Sequence, residues 1–575
     1  MPNVLPLKFQ APRLRSVFPL AAALVLAGCA AVPTGSALDA APAALVAPTG
    51  PPKLIVAIAV DQFSADLFAQ YRSRYTAGLA RLQQGAVFPS GFQSHAATET
   101  CPGHSTILTG VHPARTGVIA NNWYDPGIAR ADKRIYCAED ETAAGSTSRD
   151  PVVSAAHLRV PTLGDRLKAA APGTRNVAVS AKDRAVVMMG GHDIDAAYWW
   201  KKDHFETFAG LQPVPAAVAA NAAAARVLAA GAPALAAPAW CSARGRAMRA
   251  GSVALGAGRF ALAKNQPDSF RVSPRMDAAT GALAIGLVDA MKLGQGGATD
   301  VLSISFSATD YIGHAVGTEG LEMCIQMAEL DRTIGALLTH LDAAGIDYAV
   351  VLTADHGGLD TPERLDEQAL PGATRVDKAL GSAALSRAVT AATGIAAPGS
   401  GTGGPLIYAD GPFGDYWFDR TLTSAQKAQA TAALLRIMRA HPQVAAAFSA
   451  AELAEAPLPT GSPQDWSLKD RARAAFDARR SGDVVMLLAR AVVPIPDPLP
   501  GYTATHGSAW DYDRRVPILF WRKGLAGFEQ PAPVDTVDIA PTLAALIGLA
   551  VPEGAFDGRC LDIDGGPGNT CGLGK

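Results

Sequence analysis

Three aspartates, Asp61, Asp310 and Asp355, each stand at or just beyond the end of an apolar run. Imidazoles accompany them: His314 four residues after Asp310, His356 beside Asp355, and His506 in the turn Thr505-His506-Gly507-Ser508. An Asp-x-x-x-His spacing puts two ligands within reach of one ion on a helical turn. Imidazole and carboxylate donors with few thiolates suit Zn²⁺ with an open coordination position. Six such groups are too many for one tetrahedral ion and fit two. Two ions roughly 4 Å apart form a clamp for the attacking and leaving oxygens of a phosphoryl displacement.

A nucleophile for such a site stands in Thr98-Glu99-Thr100-Cys101-Pro102-Gly103-His104. Proline is favoured in a first helical turn, which places Thr100 at or beside a helix start. Free N–H groups and the positive end of the dipole there suit a phosphate. A threonine hydroxyl needs a base or a metal to activate it. Alone, Thr100 reads as a helix cap. The ordered ligand candidates turn the reading toward a nucleophile, with Thr98 as the alternative.

The elements that position these groups are legible in the apolar pattern. Leu54–Val60 is a continuous apolar run, as in a buried parallel strand, and ends at Asp61. Val177–Ser180 leads into Lys182-Asp183-Arg184, Val301–Phe306 ends near Asp310, and Tyr348–Thr353 runs into Asp355-His356-Gly357-Gly358. Val484–Leu488 and Val516–Trp521 supply late strands. Helical pattern covers Ala65 to Gln83. Met323, Met327, Leu330, Ile334, Leu337 and Leu341 recur at helical spacing, with Thr318 as the expected cap and Gly345 as the stop. The Ala-rich stretch 212–238 reads as helix broken by Pro and Gly, and Val537 to Leu549 as a last helix. Strands alternating with helices predict a mostly parallel sheet covered on both faces, with ligands beyond the carboxyl ends of the strands. Residues 361–482, punctuated by Gly and Pro, read as an inserted cap with its own helices.

The 575 residues are 49% hydrophobic and 18% charged, room for one large α/β domain over 53–575. A net charge of −2 gives no electrostatic case for nucleic acid. Residues 1–29 read as a processing signal: Lys8, Arg13 and Arg15, then an apolar run ending Leu26-Ala27-Gly28-Cys29, similar to a lipoprotein signal with lipid on the cysteine. Residues 30–52 read as a flexible tether. Setting Cys29 aside, six of the seven cysteines remain, an even number suited to an oxidising compartment, with Cys560 and Cys571 the best pair.

The ordered set from Asp61 to His506, and on through Asp511-Tyr512-Asp513-x-x-Val516-Pro517, resembles the alkaline phosphatase superfamily. Within it, the chain is most similar to the bacterial branch with a threonine nucleophile. The resemblance implies a three-layer α/β sandwich and two Zn²⁺ ions. Asp310, His314 and His506 would hold one; Asp61, Asp355, His356 and Thr100 would hold the other. It also implies that Asn121, Lys182 and Arg184 contact the transferred phosphoryl oxygens. On an extended segment Lys182 and Arg184 would share a face. The implied activity is hydrolysis of small phosphate monoesters through a phosphothreonine, by a periplasmic protein that meets the membrane only through a lipid on Cys29.

Two other functions compete. A nucleotide pyrophosphatase/phosphodiesterase shares the two-metal core and Thr-x-Pro-x-His, and Lys182 with Arg184 is the discriminator. A non-catalytic metal-binding lipoprotein would have lost Thr100 or a ligand. In isolation Lys182 and Arg184 read as a solvated charge pair. His104 reads as structural, Cys101 as structural or disulfide-bonded, Tyr198-Trp199-Trp200 as core, and Asp513 as a support for a ligand histidine. His95, His112, His192 and His441 read as surface or supporting groups.

Overall fold

Strand β1 (Leu54–Val60) is buried along its whole length, and its alternate residues feed two apolar layers. Leu54, Val56, Ile58 and Val60 pack with Phe63, Leu67 and Phe68 on one face. Ile55, Ala57 and Ala59 pack with Ile107, Leu108 and Leu543 on the other. A strand covered on both faces needs this unbroken apolar sequence. The computed structural model describes residues 50–256, 258–396 and 405–572. The expected signal over 1–29, most of the tether over 30–52 and most of the glycine-rich run from Gly399 lie outside the described residues.

The central sheet continues with β2 (Ala86–Phe92), β3 (Asn176–Ser180), β4 (Ala196–Lys201), β5 (His204–Glu206), β6 (Asp300–Phe306) and β7 (Tyr348–Thr353). A second sheet holds β8 (Ile407–Tyr408), β9 (Gly414–Phe418), β10 (Val444–Ser449) and β11 (Val484–Leu488), ordered β8-β9-β11-β10 and antiparallel. Strands β12 (Arg515–Arg522), β13 (Phe528–Glu529) and β14 (Val534–Asp535) return to the central sheet, whose order is β13-β2-β12-β7-β1-β6-β3-β4-β5, with β14 also on β2. β7, β1, β6, β3 and β4 are mutually parallel. β12 is antiparallel to both β7 and β2. The carboxyl ends of β1, β3, β6 and β7 therefore open on one edge.

Around these strands run α1 (Ala65–Tyr71), α2 (Gly78–Leu82), α3 (Thr100–Thr109), α4 (Asp183–Gly190), α5 (Pro215–Ala230), α6 (Pro274–Met291), α7 (Ala308–Val316), α8 (Leu321–Ala343), α9 (Ser382–Thr393), α10 (Ser424–Arg439) and α11 (Ile539–Leu546). α1, α5, α6 and α8 share the layer of Leu54, and α3 and α11 the layer of Ile55. This is a mixed, mostly parallel sheet with helices on both faces. α9, α10 and the second sheet share a separate cluster of Leu385, Val389, Leu434, Met438 and Met486. Among the described residues, no helix is long and apolar enough to cross a membrane.

Several local expectations fail for tertiary reasons. The helix over 65–83 is two helices, because Asp331 of α8 caps the second from afar. Its carboxylate accepts the N–H groups of Thr76, Ala77 and Leu79 at 2.7–2.9 Å. Thr318 does not cap α8; its N–H goes to Asp360 Oδ1 (2.9 Å), and the helix starts after Gly320. Pro215 and Gly231 bound α5 rather than break it. The apolar run 484–488 joins the second sheet, not the central one. The last helix ends at Leu546 and begins as a 3₁₀ turn over Thr536–Asp538. Cys560 does pair with Cys571, and Cys101–Cys137 and Cys241–Cys324 are also joined.

The segment after α3 is tied to the C-terminal region by His112. Its Nδ1 meets Asp557 Oδ2 (2.9 Å), and its Nε2 meets Ser94 Oγ (2.9 Å) and Asp535 Oδ2 (3.3 Å). Burial opposes the charge, but the hydrogen bonds it donates to Asp535 and Asp557 lift the imidazole to about 9. Its folded pKa lies above the unfolded value near 6.5, so the stability it adds is complete below that pH and lost as pH rises through about 9. The full effect is on the order of 3 kcal/mol. His112→Gln should therefore lower Tm most at pH 6 and much less at pH 9.5. An equal loss at both pH values in thermal melts would show that packing alone is responsible.

Candidate active site

Asp61 follows directly from β1, and Asp355 and His356 follow β7 within three residues. Asp310 lies in the first turn of α7 and His314 one turn later, Nε2 to Asp310 Oδ1 3.1 Å. Lys182 precedes α4, which follows β3. Thr100 opens α3. A side chain on Gly103 would collide with the carbonyl of Asp355, so this glycine lets the first turn of α3 lie against the β7 loop. His506 arrives on a loop without regular structure. All six ligand candidates converge. Two triads bring one donor atom each into mutual reach: Asp61, Asp355 and His356, and Asp310, His356 and His506. His356 belongs to both, and His314 joins the second through Asp310.

The three imidazoles are oriented alike. Nδ1 of His314 points at Ala504 O (3.0 Å), that of His356 at Gly357 O (2.8 Å) and that of His506 at Thr98 O (2.8 Å). Each Nδ1 is thereby the donor, and each Nε2 turns a bare lone pair inward. His356 Nε2 faces Asp61 Oδ1 (3.5 Å) and Asp355 Oδ2 (3.3 Å); His506 Nε2 faces Asp310 Oδ1 (3.4 Å). Lone pair opposes lone pair with no proton between. Asp61 Oδ1, Asp310 Oδ1, Asp355 Oδ2 and His356 Nε2 are buried without hydrogen-bond partners. Such orphaned donors, oxygen and nitrogen together, fit divalent cations of the zinc type.

The electrostatics agree. Burial raises the Asp61 carboxyl well above its usual range, reinforced by Asp310 and Asp355. Burial keeps His356 neutral, down to about 3. Three buried carboxylates face one ammonium, that of Lys182, which lies 2.5 Å from Asp61 Oδ2 and 2.6 Å from Asp310 Oδ2.

Lys182 and Arg184 converge on the hydroxyl at the centre, though not from an extended strand. Lys182 is the residue before α4 and Arg184 lies in its first turn. Lys182 Nζ is 3.3 Å and Arg184 Nη2 3.4 Å from Thr100 Oγ1. The α3 terminus itself offers little to an anion. Cys101 N–H donates to Asn121 Oδ1 (2.8 Å), Pro102 has none, and Gly103 N–H closes onto Glu99 O. The positive charge at Thr100 comes from side chains. Thr98 turns away, donating its hydroxyl to Ser508 O (2.7 Å).

Comparison with known proteins follows this geometry. Residues 55–509 match the family model described as type I phosphodiesterase / nucleotide pyrophosphatase. Alkaline phosphatase PhoK of Sphingomonas sp is 52% identical over 91% of this chain and 93% of its own length. The chain belongs to the alkaline phosphatase superfamily. Alkaline phosphatase PhoD of Zymomonas mobilis is 47% identical over 90% of this chain and 89% of its own length. The crystal structure of alkaline phosphatase PafA shares the fold, with a TM-score of 0.76 at 24% identity over 89% of this chain and 99% of that one.

Within this superfamily member, the sequence pattern missed Glu99. Its Oε2 accepts the Asn121 N–H (2.7 Å), while Cys137 N–H donates to Asn121 O (3.0 Å) and Cys101 bonds to Cys137. Asn121 is thus clamped to the residues on either side of Thr100. The signal was adjacency alone, which no periodicity marks. Asp513 supports the site differently from expectation: its carboxylate accepts Ser508 N–H (2.8 Å) and not a histidine, and burial raises it to about 7. His104 is structural, between Thr100 O (2.9 Å) and Ser305 Oγ (2.9 Å).

Proposed function

We propose that this protein is a zinc-dependent phosphatase that hydrolyses phosphate monoesters to an alcohol and inorganic phosphate, with Thr100 as nucleophile. The observation that carries the reading is the convergence of Lys182 Nζ and Arg184 Nη2 on Thr100 Oγ1 beside the orphaned ligand cluster. The names of the relatives, alkaline phosphatases, support it.

Asp310, His314 and His506 would hold one zinc ion and Asp61, Asp355, His356 and Thr100 the other, supplying Lewis-acid stabilisation of the attacking and leaving oxygens. Thr100 Oγ1 forms a bond to phosphorus as the ester O–P bond opposite it breaks. Lys182 and Arg184 neutralise the non-bridging oxygens, the ammonium as a point charge and the guanidinium as a planar fork. Asn121, clamped through Glu99 and Cys101, presents its amide to the same group. Water then hydrolyses the phosphothreonine and restores Thr100.

The phosphodiesterase reading has one observation in its favour, the description of the matching family model. Metal analysis, together with kcat/KM on an aryl monoester and the diester of the same phenol, separates the two. We expect about two zinc per chain and a preference for the monoester. A preference for the diester overturns the assignment.

The location belongs to the same proposal: a periplasmic lipoprotein anchored through Cys29. Three disulfides among the described residues are in keeping with an oxidising compartment. The mature protein should partition into detergent, and Cys29→Ser should release it or block processing. Wild-type protein found only in the soluble fraction, with an N-terminus elsewhere, refutes the anchor.

A further inference from the structure

A cleft lined by Glu99, Asn121, Arg184, His314 and His506 has a volume of about 350 Å³, enough for a phosphoryl group and a ring system. Its inner end is lined by Arg184, Asn121, His314 and His506. Its outer part is aromatic and acidic. Tyr502 is 44% exposed, and its backbone is held. Leu499 and Tyr502 exchange backbone hydrogen bonds (3.1 and 2.8 Å), and the phenol ring lies 5.3 Å from the His314 ring. Phe413 also lines the cleft. Its edge is 2.8 Å from where a side chain on Gly507 would begin, and Gly507, at φ +104°, follows His506. Tyr502 thus lies beside His314, and Phe413 beside Gly507, the neighbour of His506; these two imidazoles are the ones that would help hold one ion. A leaving group beside His314 and His506 would enter the part of the cleft that Tyr502 and Phe413 help to line.

Charge narrows the class of that group. Glu99, Asp410 and Asp415 line the cleft, and among the described lining residues Arg184 is the one cation. Arg184 already faces Thr100 Oγ1. Asp410 is answered from outside the cleft by Arg134 (2.5 Å), and Asp415 is held by the Gly482 N–H (2.6 Å). Among the described lining residues no further cation answers a second phosphate, and the enclosing walls strengthen the field of the carboxylates.

Resting on the phosphomonoesterase reading, we propose that the outer cleft is a leaving-group subsite for an aromatic group without negative charge, and that it selects against monoesters whose leaving group carries further anionic charge. A neutral ring packs against the aromatic lining of Tyr502 and Phe413, and a cationic one gains the carboxylates and the ring faces as well.

The test uses the metal-loaded enzyme and three aryl phosphates matched in phenol pKa, with a neutral, a carboxylate and a quaternary ammonium substituent. At low ionic strength kcat/KM should be at least about tenfold lower for the carboxylate than for the neutral ester, and the gap should shrink with salt. Asp410→Asn should narrow the cation-to-anion ratio. Tyr502→Ala should reduce the ratio of aryl phosphate to methyl phosphate by roughly three- to tenfold, and Tyr502→Phe should keep it. Equal rates for the three esters, or an unchanged aryl-to-methyl ratio in Tyr502→Ala, overturn the subsite. Turnover of the matched diesters with none of the monoesters overturns the phosphomonoesterase reading, and the subsite with it.

Discussion

Thr100→Ala should retain the fold and most of its zinc but lose about three decades or more of kcat/KM on monoesters, since a covalent route disappears with its nucleophile. Thr100 Oγ1 meets Lys182 and Arg184, at 3.3 and 3.4 Å, and caps nothing. Its methyl and hydroxyl can therefore go at small cost in stability. Acid quench of the wild type with labelled monoester should trap a phosphoprotein; the variant should trap none, and Thr100→Ser should restore part of both signals. Asp355→Ala makes the contrast. Asp355 Oδ1 accepts the N–H groups of Gln62 (3.1 Å) and His356 (3.0 Å), and its Oδ2 is one of the orphaned atoms. That variant should lose zinc together with activity. Near-normal turnover in Thr100→Ala would remove Thr100 from the chemistry. Thr98 would be a poor heir, because its hydroxyl is committed to Ser508 O.

The ligand set was legible because it uses the plainest feature of the fold. A parallel strand buried on both faces is a continuous apolar run, and whatever polar residue ends it stands at the open edge of the sheet. Asp61 and Asp355 were found this way, and Asp310 with His314 by helical spacing. What the chain concealed depends on partners distant in sequence. Asp331 splits the helix over 65–83, and Asp360 takes the N–H of Thr318. Both are long-range side chains performing a job that local reading gives to a neighbour. The run 484–488 says that a strand is buried, not which sheet receives it. Lys182 and Arg184 do converge, but not by the expected route. Position in a first helical turn, not strand alternation, brings them to Thr100. Tyr502 and Phe413 carried no signal, because aromatic residues in an irregular segment have no period.

Replacing Arg184 should cost monoesters far more than diesters. A monoester at neutral to alkaline pH brings nearly two negative charges and three non-bridging oxygens to Thr100, and a diester one charge and two. Metal ions serve both substrates, so the side-chain cations discriminate through the extra charge and oxygen. A desolvated, charge-assisted hydrogen bond is worth roughly 1.5–3 kcal/mol, or about one to two decades in rate. Arg184→Ala and Lys182→Ala should each lower monoester kcat/KM by at least that much, and diester hydrolysis much less. The pair will not be additive, since both side chains act on one group. Lys182 carries a second duty that separates the two variants. Its ammonium also bridges Asp61 and Asp310, so its loss removes the sole side-chain cation among three buried carboxylates. Lys182→Ala should therefore tighten zinc retention at the same time as it slows the monoester, whereas Arg184→Ala should leave retention alone. Metal content after dialysis against a chelator, measured beside the matched monoester and diester rates, reads both effects. Equal losses on the two substrates would mean that these cations support the site in general and do not recognise the monoester. A diester preference that is already present in the wild type would assign the cleft to phosphodiesters.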